Sequence, residues 1–377
     1  MFLLGSSEQK YRQADSKNGE SLSLITLLRA VAAITILWHH YAIYPPLREW
    51  ASPLLGDPLD WLQEHARATQ VFFVIGGYVL ARSLAHHKWT LRGVSAFMVS
   101  RYLRLGIPYV AVIVMTIPIL TLARGWVPDE VLGQPISIPQ FLAHLFFLQG
   151  VLGYEQLSAG LWFVCINFQM CFAYVVLLWI RDSIIHRKVD LCGLLGWGIS
   201  IASLFYFNLD EQWDNWFLYF FPYFFFGVVI QRSRERVGLK LEFWLYLLLL
   251  LVAMLYEWRW RLGIASAVGL IVFLAETTGH NKLPVKFGLV RRLGDISYSL
   301  FLVHFPVLLL VATLWAKLNW TGPTEAAIGL LVAFIASIVA AEIFFRFVET
   351  PSALAGRKKK KQLKLRQRHG AEVLEAG

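Results

Sequence analysis

The run LLRAVAAITILWHHYAIY, Leu27 to Tyr44, is apolar enough for lipid, yet it carries Arg29, His39 and His40. Ionisable groups inside a membrane span are costly and rare unless something uses them. From Arg29 to His40 the helical rotation brings both within about 20° of one face. At the helical rise they stand roughly 16 Å apart along the axis. Ala33 and Ile36 lie between them on that face, and small residues let helices approach closely in lipid. His39 points about 80° from the Arg29 direction. A histidine with an ordinary pKa suits general-base chemistry at neutral pH. An arginine suits a bound anion. The two residues alone also fit a plainer arrangement, with Arg29 snorkelling to headgroups and His40 at the interface.

Other polar residues recur in apolar surroundings. SRYLRLGIPY places Arg101 and Arg104 one turn apart, before Pro108. The proline is expected to loosen the start of a helix there. Paired guanidiniums suit a phosphate-bearing ligand, and they equally suit simple basic flanking of a span. FFVIGGYVL contains Gly76 and Gly77, read as a close helix contact. LWFVCINFQM carries Trp162, Asn167 and Gln169. Its two amides are expected in the outer half of their span, bonding between helices or to substrate. GDISYSLFLVHFPV sets Ser297 and His304 on one face, with Tyr298 beside them. FRFVETP places Arg346 and Glu349 at neighbouring helix positions, which reads as a local ion pair. DEQWDNWF could stack sugars, although interfacial aromatic belts look the same. Cys165, Cys171 and Cys192 show neither metal spacing nor a disulfide framework, so no metal site is expected.

The elements that must carry these residues are membrane helices. Of the 377 residues, 57% are hydrophobic and 16% charged, against roughly a quarter charged in soluble domains. A span needs about 20 mostly apolar residues. Eleven apolar segments stand out: 22–44, 68–86, 105–124, 138–152, 160–180, 191–208, 214–231, 241–256, 261–277, 295–317 and 326–347. Segment 138–152 is short and contains Pro139, Gln140, His144 and Gln149. If it does not cross, most of the 35 basic residues fall on one side, as cytoplasmic loops require. The fold class expected is therefore all-α: a polytopic membrane bundle of about ten transmembrane helices, plus one external re-entrant or interfacial segment. Residues 1–21 form a cytoplasmic tail, 22–351 the transmembrane domain, and 352–377 a basic cytoplasmic tail. The polar stretch Ser6 to Ser21 does not read as a cleavable signal peptide. The tail GRKKKKQLKLRQRHG suits a solvated topology anchor or contact with anionic lipids. Basic residues elsewhere are scattered, which argues against nucleic acid. No signal for an oligomeric state is present.

Taken in order, these motifs resemble the membrane acyltransferase-3 family, which includes bacterial O-acetyltransferases of surface polysaccharides. The resemblance runs from about residue 22 to 351. It rests on Arg29 with His40, on Arg101 with Arg104, on the Gly294-Asp295-Ile296-Ser297-Tyr298 run closing on His304, and on Glu349-Thr350-Pro351. Gly76 and Tyr78 depart from the family's FFxISGF pattern. Asn167 and Phe168 replace the acidic pair of its LWSLxVEEQFY pattern, with Gln169 retained. The resemblance implies acyl transfer, most often of acetyl, from cytoplasmic acetyl-CoA or another acyl-CoA to a glycan or lipid-linked saccharide hydroxyl. The donor is a substrate, not a tightly bound cofactor. The protein would sit in the bacterial inner membrane with both termini cytoplasmic. Arg101 and Arg104 would hold donor phosphates, and Arg29 would line the donor's path. His40 would act as general base or transient acyl carrier. Trp162, Asn167, Gln169, Ser297, Tyr298 and His304 are the candidate substrate contacts. The rival class, a transporter or flippase of a glycan or lipid-linked intermediate, would favour paired halves with interrupted helices.

Overall fold

A computed structural model describes residues 22–85, 87–184, 190–235, 240–283 and 288–356. The polar N-terminal stretch and the basic C-terminal run lie outside them. The described chain is mainly helical, with turns between the helices, one isolated bridge and one two-residue antiparallel ladder. In that ladder β1 (Leu22–Ser23) pairs with β2 (Lys282–Leu283), Leu22 opposite Leu283. Among the described residues, seven helices are long and apolar enough to cross a membrane. They are α1 (Leu24–Ile43), α4 (Leu91–Ala123), α7 (Leu161–Ser183), α8 (Leu191–Phe205, extended by a 3-10 turn), α11 (Trp260–Thr278), α13 (Ser297–Lys317) and α14 (Pro323–Phe344). The other three expected spans are also helical. Of these, α3 (Thr69–Leu84) and α10 (Lys240–Tyr256) are short, and α9 (Phe217–Glu235) ends in Arg232 and Arg234.

Three expectations change. The charged, proline-bearing stretch after α1, left without an element by the apolar count, forms α2 (Leu47–His65). It tolerates Pro53 and Pro58 because the backbone breaks at Leu55. It buries Leu47, Ala51 and Leu59 against α1 and α14. The third span begins at Leu91, not near residue 105, capped by the Thr90 side chain on the Gly93 amide. Arg101 and Arg104 therefore lie inside a 33-residue helix that continues through Pro108 and Pro118. The loosened helix start is absent.

Beyond the short turn α5 (Asp129–Leu132), segment 138–152 contains only α6 (Ile138–Leu145). Eight residues make about 12 Å of helix, far short of a bilayer core. A capping box between Ser137 and Gln140 starts it. Ile138, Leu142 and Phe146 stay exposed while Gln140 and His144 turn inward. The amide of Gln149 then bonds Tyr109 on α4 and Gln156, so the segment is tied to the bundle by buried polar contacts.

Two cores hold the molecule. One surrounds α9, whose Phe224, Phe225 and Phe226 are all buried. Helix α3 packs on it more closely than a side chain would allow. A Cβ on Gly77 would stand 1.9 Å from the Phe224 carbonyl oxygen, and one on Gly227 would stand 2.0 Å from that of Val74. The second core surrounds α13 and includes α1, α4 and α14. The short helix α12 (Gly288–Asp295) leads into α13 and lies on α1. There a Cβ on Gly294 would sit 2.4 Å from the Thr26 carbonyl oxygen. That contact sets the start of α13 beside the start of α1.

Candidate functional site

With their N-terminal ends set together, α1 and α13 run side by side. They are cross-linked twice by polar side chains. Near those ends the Arg29 guanidinium donates to Ser297 Oγ at 2.9 Å. Farther along, His40 Nδ1 and His304 Nε2 are 2.7 Å apart. The two imidazoles lie nearly parallel, 5° between planes and 4.8 Å between centroids. His304 Nδ1 sits 3.1 Å from the Leu300 carbonyl oxygen, which can only accept. With both rings neutral, His304 therefore carries its proton on Nδ1 and accepts at Nε2. The bridging proton then belongs to His40 Nδ1, and the lone pair of His40 falls on Nε2. That nitrogen has no protein partner among the described residues, and His40 lines a cavity.

That cavity, of about 570 Å³, lies at the His40 end of the bundle. Its walls mix charges of both signs: Arg67 and Arg261 face Glu155, Glu211 and Asp214. Arg261 donates to the Tyr219 hydroxyl at 3.0 Å. Partial burial, then the nearby Glu211 carboxylate, push the Asp214 carboxyl above its ordinary pKa. Trp162 supplies an aromatic face. His39 lines the same cavity, so it does not point away as its helical angle predicts. Its Nδ1 is held by the Leu62 carbonyl of α2 at 3.2 Å. Within DEQWDNWF it is Glu211, Asp214 and Asn215 that line the cavity, while Trp213 packs edge-on against Phe207. Arg67, Glu155 and Arg261 escaped the sequence reading because each sits in a short connection or at its edge. Only tertiary folding gathers them.

A second cavity, of about 310 Å³, opens at the Arg29 end. Arg29, Arg101 and Arg104 line it together, as do Ser297 and Tyr298. Arg101 donates to Asn167 Oδ1 at 3.1 Å. Its Nε is buried without a partner among the described residues. Three guanidiniums and a buried N–H give this cavity a lining whose chemistry suits an anion, offset in part by the Glu349 carboxylate beside Arg29 and Arg104. Asn167 thus belongs to the arginine cavity and not to the opposite half of the bundle. The Tyr298 hydroxyl is committed to the Leu105 carbonyl at 2.9 Å. Gly76 also lines this cavity, and a Cβ there would meet nothing within 4 Å.

Glu349 is the one carboxylate among that cavity's lining residues. The expected Arg346–Glu349 pair does not form. Arg346 bonds Glu342, which also holds Arg292 at 2.6 Å. The five residues Phe345–Glu349 form a π-helical turn, whose wider winding rotates the following side chains relative to an α-helix. Glu349 turns inward and accepts from Ser299 Oγ at 2.6 Å.

Two candidates lie outside both cavities. Gln169 accepts from the Phe217 amide at 3.1 Å and so secures the start of α9. His304 is buried behind His40 and touches the cavity only through it. Among the described residues no cluster of histidine, cysteine and carboxylate side chains could hold a metal ion.

Comparison with known proteins gives a family match over most of the chain: residues 23–342 fit a family model described as an acyltransferase domain. No curated protein and no solved structure gives a significant match.

Proposed function

Because the chain belongs to the acyltransferase-3 family and carries several membrane-spanning helices, we propose that it transfers an acyl group from a cytoplasmic acyl-CoA to a hydroxyl of a saccharide acceptor across the bilayer. One observation carries this reading. A single helix pair, α1 and α13, presents an arginine-lined cavity at one end and the His40–His304 pair beside a second cavity at the other. In this reading α3, α9 and α10 also cross, which makes ten spans. The Arg29 end faces the cytoplasm, in keeping with the concentration of basic flanks there.

Arg101, Arg104 and Arg29 bind the phosphates of the donor through charge-assisted hydrogen bonds. The pantetheine arm runs towards His40. The acceptor occupies the larger cavity, where carboxylates, amides and arginines bind hydroxyls and Trp162 supports a sugar face. His40 Nε2 takes the proton of the attacking hydroxyl as its oxygen bonds the thioester carbonyl carbon. The carbon–sulfur bond breaks, and the coenzyme A thiolate leaves and is protonated by the imidazolium. Acetyl is the acyl group this reading expects. General-base assistance of this kind is worth roughly 10²–10⁴-fold.

The test uses purified protein in proteoliposomes with acetyl-CoA and a panel of saccharides. Acetyl-CoA consumption that depends on a saccharide, and that is lost in His40→Ala with donor binding retained, is the expected result. Saccharide movement across the bilayer without acyl-CoA consumption would replace the reading with transport.

A further inference from the structure

The two cavities share no lining residue. Phe72, Phe163 and Phe301, one each from α3, α7 and α13, close the arginine cavity on its inner side. Their rings form a mutual cluster with centroid separations of 5.9, 5.2 and 6.4 Å. Trp162 stands on the other side, 6.1 Å from Phe163 and facing the His40 cavity. Phe301 in turn lies 6.1 Å from His304, the partner of His40. Phe301 is held in place: a side chain at Gly160 would strike its ring at 2.9 Å. Phe163 and Phe72 meet it through ring contacts, and Phe163 also packs on Phe73 with centroids 4.7 Å apart.

We propose that this phenylalanine triad is a gate that keeps water of the acceptor cavity from the bound thioester and limits the size of the acyl group admitted to His40. The inference rests on the reading above, because it assumes that an acyl group travels from the arginines to the histidine. That journey must cross the triad. Rotation of Phe163 opens a passage one ring wide, which suits a short acyl chain better than a long one. A closed triad has a second effect. It prevents the wasteful reaction in which water, not a saccharide hydroxyl, adds to the thioester carbonyl, the carbon–sulfur bond breaks, and free carboxylic acid and coenzyme A thiol result.

The experiment compares wild type with Phe163→Ala and the milder Phe163→Leu in proteoliposomes. Hydrolysis of acetyl-, butyryl- and hexanoyl-CoA is followed without acceptor, and proton flux is followed with an enclosed pH dye. The expected result for Phe163→Ala is acceptor-free hydrolysis raised about tenfold, equivalent to ~1.4 kcal/mol of barrier, with butyryl- and hexanoyl-CoA gaining most. Proton flux should rise with it. The flux readout needs no catalysis, so a rise supports the partition even if acyl-CoA is never turned over and the functional reading fails. Flux and hydrolysis both at wild-type levels, in whichever variants fold, would overturn the gate.

Discussion

Replacing His304 tests the tautomer chain directly. His304→Leu removes the only acceptor for His40 Nδ1–H among the described residues while keeping a bulky apolar side chain in a site that is 1% exposed. His40 then has a buried donor without a partner, a penalty of about 1–3 kcal/mol. The ring can escape that penalty by moving its proton to Nε2 or by turning away, and either change removes the lone pair from the cavity. Converted to rate, the penalty is a loss of roughly 5- to 150-fold in kcat. Donor affinity should hold, because Arg29, Arg101 and Arg104 lie at the other end of the bundle. His304→Gln offers an amide oxygen to the same N–H and should recover part of the loss. The assay is acyl transfer by equal amounts of folded protein, with acyl-CoA affinity measured separately. Activity of His304→Leu within twofold of wild type would refute the argument, as would equal activity in the leucine and glutamine variants. A purely structural role for His304 predicts no rescue specific to an acceptor side chain.

Four further outcomes are expected. Arg101→Ala should weaken acyl-CoA binding by roughly 10- to 150-fold, the worth of a hydrogen bond to a charged group. Arg101→Lys should rescue poorly without the planar fork, and titration of binding in detergent reads both. Gly77→Ala should lower stability by about 1–3 kcal/mol or more, as overpacking does, because its Cβ falls 1.9 Å from the Phe224 carbonyl oxygen. Gly76→Ala, which meets nothing, should melt near wild type, and thermal unfolding followed by fluorescence distinguishes the two. Single cysteines at Glu130 and Glu155 should be labelled from the same side of the membrane, since α6 is too short to cross; labelling from opposite sides would make 138–152 a span. His39→Ala should retain most transfer activity, because its ring is held by the Leu62 carbonyl and not by His304, and a loss equal to that of His40→Ala would shift the chemistry to His39.

How much of this was legible depended on the range of each contact. Arg29 and His40 share a helix, so their common face follows from rotation alone. Their partners Ser297 and His304 share another helix and were found by the same arithmetic. The pairing of the two helices was not readable, so His304 was assigned to substrate when it in fact lies behind His40. The Arg101–Arg104 pair was visible as a one-turn repeat. Its setting inside a long helix is not visible in the sequence, because residues 91–104 are too polar to read as an apolar run. The same bias hid α2, whose three buried residues lie among prolines and charges. Glu349 was misread for a different reason. An α-helical rotation was assumed where the backbone winds as a π-helix, and that small change in winding moves a carboxylate from the surface into a cavity.

The acceptor cavity was the least legible part, and its composition explains why. Its charged lining comes from the connection after α2, the loop after α6, the 210–216 turns and the start of α11. Each contributes one or two polar residues that, taken singly, resemble ordinary solvated loops. Their meaning lies in convergence around His40. The donor end is built differently: Arg29, Arg101, Arg104 and Ser297 all sit on long helices with a regular period. A cavity built on regular helices has a fixed geometry, whereas a cavity built from loops can be altered without disturbing the helices. Exchanging the 210–216 turns should therefore change which saccharide is used while leaving acyl-CoA affinity within about twofold, well under the ~1.4 kcal/mol that marks a decade. A matching loss of donor affinity would show that the two ends are not independent.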